Sequence, residues 1–141
     1  MVAPYTDGMY TAAKVITFCY GHRIRGHGGA CRFLHGHNAR AEVVCRGDLD
    51  ELGMVVDFGE IRRVLRTWID ANWDHRMILA EGDPMVDVLR AEGEPVFTLD
   101  GPPTAERLAA HLYGVAREAG LPVVTIRLWE TESSVASYGE A

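Results

Sequence analysis

The chain has 141 residues, 48% of them hydrophobic and 24% charged, with a formal net charge of −6. That suits one soluble domain over 1–141, able to bury a core without disulfide staples. The acidic balance excludes broad binding to a nucleic-acid backbone, which needs a basic surface, and no apolar run approaches the ~18 residues of a membrane span.

Met1 to Tyr10 lacks the basic start and apolar stretch of a secretory leader. Three cysteines, Cys19, Cys31 and Cys45, make an odd count without scaffold spacing. A reducing cytoplasm is the expected setting.

Met9 to His22 reads as a strand, with Val15, Ile16, Thr17, Phe18 and Tyr20 supplying β-branched and aromatic residues. Gly26, Gly28 and Gly29 mark a loop, and His37 to Arg46 alternates as a second strand. An antiparallel pairing of the two would bring His22 beside His35 and His37. Cys19 and Cys45 lie inside the strand patterns and are assigned to packing. His27, in the glycine loop, is expected to face solvent.

Asp57 is placed as a helix N-cap, with Glu60 at capping-box spacing. Phe58, Ile61, Val64, Leu65, Trp68 and Ile69 then recur at helical intervals to about Asn72. Asp83-Pro84 begins a shorter helix that should stop at Gly93, and Pro95 to Leu99 is a brief strand. Thr104 caps a last helix carrying Leu108, Leu112, Val115 and Ala119 on one face, ended by Gly120 and Pro122. His111 on that helix is given no role.

Val123 to Thr131 is the final predicted strand. Val124, Ile126, Leu128 and Glu130 share one parity, so its apolar face ends in a carboxylate. A buried carboxylate is costly unless paired. Either the strand end reaches solvent, or Glu130 awaits a donor-rich ligand.

The densest chemistry is Cys31-Arg-Phe-Leu-His35-Gly-His37. On a strand, residues two apart share a face and sit roughly 6.5–7 Å apart, so both imidazoles can reach one metal ion. Zinc held by imidazoles with a position left open is a catalytic arrangement. Cys31 can supply a further ligand or, among the cationic groups near it, a reactive thiolate. Asp74-His75 can form an acid/base relay if both side chains face the site. The CxxC pair, HExxH, the P-loop, GxGxxG and the His-x-Glu/PCxxC deaminase signature are all missing.

Six segments in order resemble the 6-pyruvoyl-tetrahydropterin synthase family, and more closely its bacterial 6-carboxy-5,6,7,8-tetrahydropterin synthase branch. They are Phe18-Cys-Tyr-Gly-His22, the Cys31–His37 stretch, Gly53-Met-Val-Val-Asp57-Phe-Gly-Glu-Ile61, Asp74-His75, Pro103-Thr-Ala-Glu106, and Trp129-Glu-Thr131 followed by Tyr138-Gly-Glu140. The resemblance implies an α+β tunnelling fold: a four-stranded antiparallel sheet with two long helices on one face. It also implies trimers around a β-barrel, usually stacked in pairs, with active sites between subunits. By the same resemblance His22, His35 and His37 bind Zn²⁺, and Cys31 with Asp74 and His75 moves protons. Glu130 would anchor the pterin of a small-molecule triphosphate substrate, with Thr104 and Glu106 in a second contacting segment. The activity implied is zinc-dependent conversion of 7,8-dihydroneopterin triphosphate to 6-carboxy-5,6,7,8-tetrahydropterin, with loss of acetaldehyde and triphosphate, on the route to queuosine. The alternatives are the pyruvoyl-forming enzyme and a non-catalytic zinc-containing pterin binder.

Overall fold

A computed structural model describes residues 8–140. The β-branched first stretch forms β1 (Tyr10–His22), and the alternating second stretch forms β2 (His35–Gly47). They pair antiparallel along their whole length, from Tyr10 opposite Gly47 to His22 opposite His35. The second strand therefore starts two residues before the predicted His37, which puts both histidines of the motif on regular backbone. Segment 23–34 joins the strands and includes a short 3-10 turn at Ala30–Arg32.

The amphipathic repeat after Asp57 forms α1 (Phe58–Asn72), which buries Ile61, Leu65 and Ile69. The Asp57 carboxylate accepts from Gly59 N at 2.7 Å. Glu60 does not close the expected capping box; its carboxylate takes the Arg63 guanidinium instead. The chain continues through β3 (Arg76–Ala80), α2 (Met85–Ala91), β4 (Val96–Leu99), α3 (Ala105–Glu118), β5 (Val123–Trp129) and β6 (Val135–Gly139).

The sheet holds six strands among the described residues, in the order β4-β3-β1-β2-β5-β6. The expected four-stranded antiparallel sheet is corrected on both counts. β3 lies outside the expected elements and runs parallel to β1 and to β4, while β6 adds an antiparallel strand beyond β5. The parallel pairs have a covalent cause, since β3 and β4 are joined through a helix rather than a tight turn. Gly21 leaves room for the Met77 side chain of β3, whose sulfur lies where a Cβ would stand.

The two long helices pack on one face as expected. Ile61, Leu65 and Ile69 of α1 and Leu108, Leu112 and Ala116 of α3 join one core with Ile16, Phe18, Ala41, Val43, Ile126 and Leu128. On the opposite face Thr17, Asn38 and Arg40 are exposed. Among the described residues no helix is long and apolar enough to cross a membrane.

Candidate active site

The pairing of His22 with His35 places three imidazoles at one end of the core face. Their ring centroids are 4.6 Å (His22–His35), 5.1 Å (His22–His37) and 5.0 Å (His35–His37) apart. One donor nitrogen from each lies within 4.8 Å of the others.

Backbone carbonyls orient two of the rings. His22 Nδ1 donates to Pro103 O at 2.7 Å and His35 Nδ1 donates to Phe33 O at 2.7 Å. Fixing the outer nitrogen as the N–H leaves the inner lone pair for a metal, which is how metal-binding histidines are normally held. His22 is 1% exposed. Desolvation lowers the imidazole pKa of His22 and His37, with the nearby Glu130 charge opposing, so both favour the neutral, ligating form. Two rings thus present inward lone pairs, and His37 Nε2, which lies 3.1 Å from His22 Nε2 and faces Glu130, has only to give up its proton to complete a three-imidazole donor set that fits Zn²⁺ and leaves room for a further ligand.

Glu130 follows β5 directly, and its carboxylate reaches His37 Nε2 at 2.9 Å and His22 Nε2 at 3.9 Å. The acid at the end of the apolar face thus borders the histidine pocket, with its side chain 22% exposed. Thr104 is the N-cap of α3, its hydroxyl accepting from Arg107 N at 3.3 Å. The neighbouring Pro103 carbonyl ties that cap to His22. Glu106 stands exposed in the first turn of the helix.

Asp74 and His75 sit in the turn between α1 and β3, where His75 Nδ1 lies 3.0 Å from Asp74 Oδ2. His75 has φ +59°, an uncommon conformation outside glycine, and its N–H donates to Cys19 O at 2.7 Å. Burial resists ionisation of Asp74, yet the Cys19 N–H, His75 and Arg66 hold its carboxyl below the ordinary range. The Cys19 N–H reaches Asp74 Oδ1 at 3.0 Å, and Cys19 Sγ lies 3.8 Å from the same oxygen.

Cys19 is therefore more than packing. Strand parity carried the signal, because Cys19 alternates with the core residues Phe18 and Tyr20 and so points to the open face. Cys45 does behave as packing, buried and with its thiol pushed up to about 12. His27 is exposed as expected, accepting from Gly29 N at 2.8 Å.

Cys31 lies on the exposed 3-10 turn and belongs to neither histidine-containing cluster among the described residues. The neighbouring Arg32 guanidinium donates to Gly29 O at 2.8 Å and stacks over Phe33. Within one chain the trio Cys31, Asp74 and His75 does not meet. An ion pair with no local signal in the sequence anchors the start of this loop: Arg23 clamps Asp83, whose carboxylate also accepts from Met85 N at 2.9 Å at the start of α2.

Comparison with known proteins gives the family and the fold. The chain is 35% identical over 133 residues to the 6-carboxy-5,6,7,8-tetrahydropterin synthase of Rickettsia typhi, covering 89% of this chain and 96% of that one. An uncharacterised Wolinella succinogenes protein superposes with a TM-score of 0.76 at 25% identity, covering 94% and 98% of the two chains. The 6-pyruvoyl tetrahydropterin synthase of Caenorhabditis elegans has the same fold, with a TM-score of 0.70 at 20% identity, covering 100% and 99%. The family model for 6-pyruvoyl tetrahydropterin synthase matches residues 11–141, and the chain belongs to that family.

Proposed function

We propose that the protein is a zinc-dependent lyase that converts 7,8-dihydroneopterin triphosphate to 6-carboxy-5,6,7,8-tetrahydropterin, releasing acetaldehyde and triphosphate. The observation that carries this reading is the three-imidazole pocket with the Glu130 carboxylate against it. The name of the Rickettsia relative supports the carboxy product; queuosine synthesis in the cytoplasm is the setting proposed for it.

The chemistry follows from the residues. A pterin edge offers a 2-amino group and a ring N–H, a donor pair that suits one carboxylate accepting two bonds. A ring held in this way by Glu130 lies beside the histidines. His22, His35 and His37 would hold the zinc ion, which when bound would supply Lewis acidity to the substrate's side-chain hydroxyls. Cys31 removes a proton from the side chain, and His75, polarised by Asp74, returns or accepts one. Thr104 and Glu106 border the ring from the start of α3.

Assembly completes the site. Cys31 stands apart from Asp74 and His75 in one chain, and the sheet face carrying Thr17 and Arg40 is bare of helices. A trimer closed around that face, alone or stacked as two trimers, brings Cys31 of one copy toward the relay of another.

The test is incubation of purified, zinc-loaded protein with 7,8-dihydroneopterin triphosphate. Acetaldehyde and the carboxypterin should appear together. A pyruvoyl product without acetaldehyde would overturn the carboxy assignment, and tight pterin binding without turnover would overturn the catalytic one.

A further inference from the structure

Cys19, Asp74 and His75 offer thiol, carboxylate and imidazole donors that all lie within 4.8 Å of one another and share no residue with the three-histidine pocket. An acid/base relay needs only the carboxylate and the imidazole, so the thiol is unexplained by the proposed reaction. We infer that Cys19, Asp74 and His75 form a second divalent-metal site, selective for borderline ions such as Zn²⁺ and Co²⁺.

The donor set argues for that class of ion. Thiolate and imidazole together favour zinc and its neighbours over calcium or magnesium, which prefer oxygen alone. Zinc bond lengths of about 2.0–2.3 Å put tetrahedral donors roughly 3.3–3.8 Å apart. Cys19 Sγ and Asp74 Oδ1 are already 3.8 Å apart, and Asp74 Oδ2 is 3.0 Å from His75 Nδ1. The remaining adjustment falls on His75, whose side chain is 78% exposed and has room to rotate.

The backbone assembles the trio in advance. Cys19 N binds Asp74, and His75 N binds Cys19 O, so strand β1 and the α1–β3 turn are locked together at this point. His75 also lines two open cavities, one with Asp74 and Trp129 and one with Cys19 and His37. In the separate chain, before the proposed trimer closes over Thr17 and Arg40, metal can enter from solvent, and water can fill the fourth position. Binding releases the thiol proton to solvent.

The consequence rests on the function proposed above. A metal at this site occupies the relay pair, so zinc beyond one equivalent should stop turnover. Binding itself is measured without turnover, so the two ideas fail separately.

The experiment is titration of metal-free full-length protein with Co²⁺ alone. The first equivalent should bind the three histidines and give no thiolate band. The second should bring a near-ultraviolet thiolate-to-metal charge-transfer band. Cys19→Ser should lose that band and the second equivalent while keeping the first. Cys31→Ser should keep both equivalents, and His35→Ala should keep the band. Co²⁺ should also shield Cys19 from alkylation in the unmodified protein, read by peptide mass spectrometry, which keeps the test open if Cys19→Ser folds poorly. A single equivalent at saturation, a band that follows Cys31, or unchanged alkylation of Cys19 would each overturn the inference. A persistent second equivalent in a protein without pterin turnover would leave it standing and remove only the function.

Discussion

Cys31 and His37 are close in sequence and opposite in environment. His37 stands on a fully paired strand among oriented imidazoles, beside the buried His22. Cys31 sits on an exposed 3-10 turn. The difference suits the two tasks proposed for these residues. Holding a metal demands donors fixed before the ion arrives, and paired strands provide that rigidity. A group that moves protons must meet the substrate and its relay, and here the relay lies elsewhere on the fold.

Removing a histidine breaks the first half of this comparison. His35→Ala should weaken zinc binding more than roughly 100-fold, since losing a supporting partner alone costs 10–100-fold, and turnover should vanish with the metal. Bound zinc after dialysis is the measurement, and full occupancy would reject the ligand set. Cys31→Ala tests the second half. It should lower turnover roughly 10²–10⁴-fold, the range for a lost acid/base group. Zinc content should stay unchanged, and stability should stay within about 0.5 kcal/mol, as for other exposed sites.

Much of this was legible in the sequence because its signals are local. The α1 repeat, the caps at Asp57 and Thr104, and the antiparallel pairing that gathers three histidines follow from periodicity and turn residues. What escaped notice depends on distant partners. Arg76–Ala80 becomes a strand only because β1 and β4 flank it. Val135–Gly139 is a short edge strand paired to β5, with an exposed, weakly patterned sequence. Cys19 and Asp74 are separated by 55 positions in the chain, so their contact exists only once α1 has packed on the sheet.

The Arg23–Asp83 clamp marks the boundary between the fixed pocket and the exposed loop. Asp83 is 3% exposed. Asp83→Asn should cost about 1.5–3 kcal/mol, the range for a hydrogen bond to a charged group. The Arg23 guanidinium holds the Asp83 carboxyl below the ordinary carboxylate range, so the unfolded chain takes up the proton first as pH falls. The clamp's contribution is therefore complete above the unfolded pKa of about 3.9 and is lost as pH falls through the lower folded value. Urea midpoints of the two proteins should converge on acidification; a gap independent of pH would show that the ion pair is not its source.

The smallest effect belongs to Thr104, which caps α3 beside the carbonyl that orients His22. At 3.3 Å the cap bond is long, so Thr104→Ala should cost about 0.5–1 kcal/mol, the lower part of the usual range for losing a cap. Pro103 itself is untouched by the change, and its proline ring restricts the backbone on which the carbonyl sits. Zinc affinity should consequently fall far less than in His35→Ala, while the melting temperature drops measurably and Thr104→Ser restores it. A loss of zinc as deep as that of a missing histidine would mean that the pocket's rigidity comes from the α3 cap and not from the paired strands.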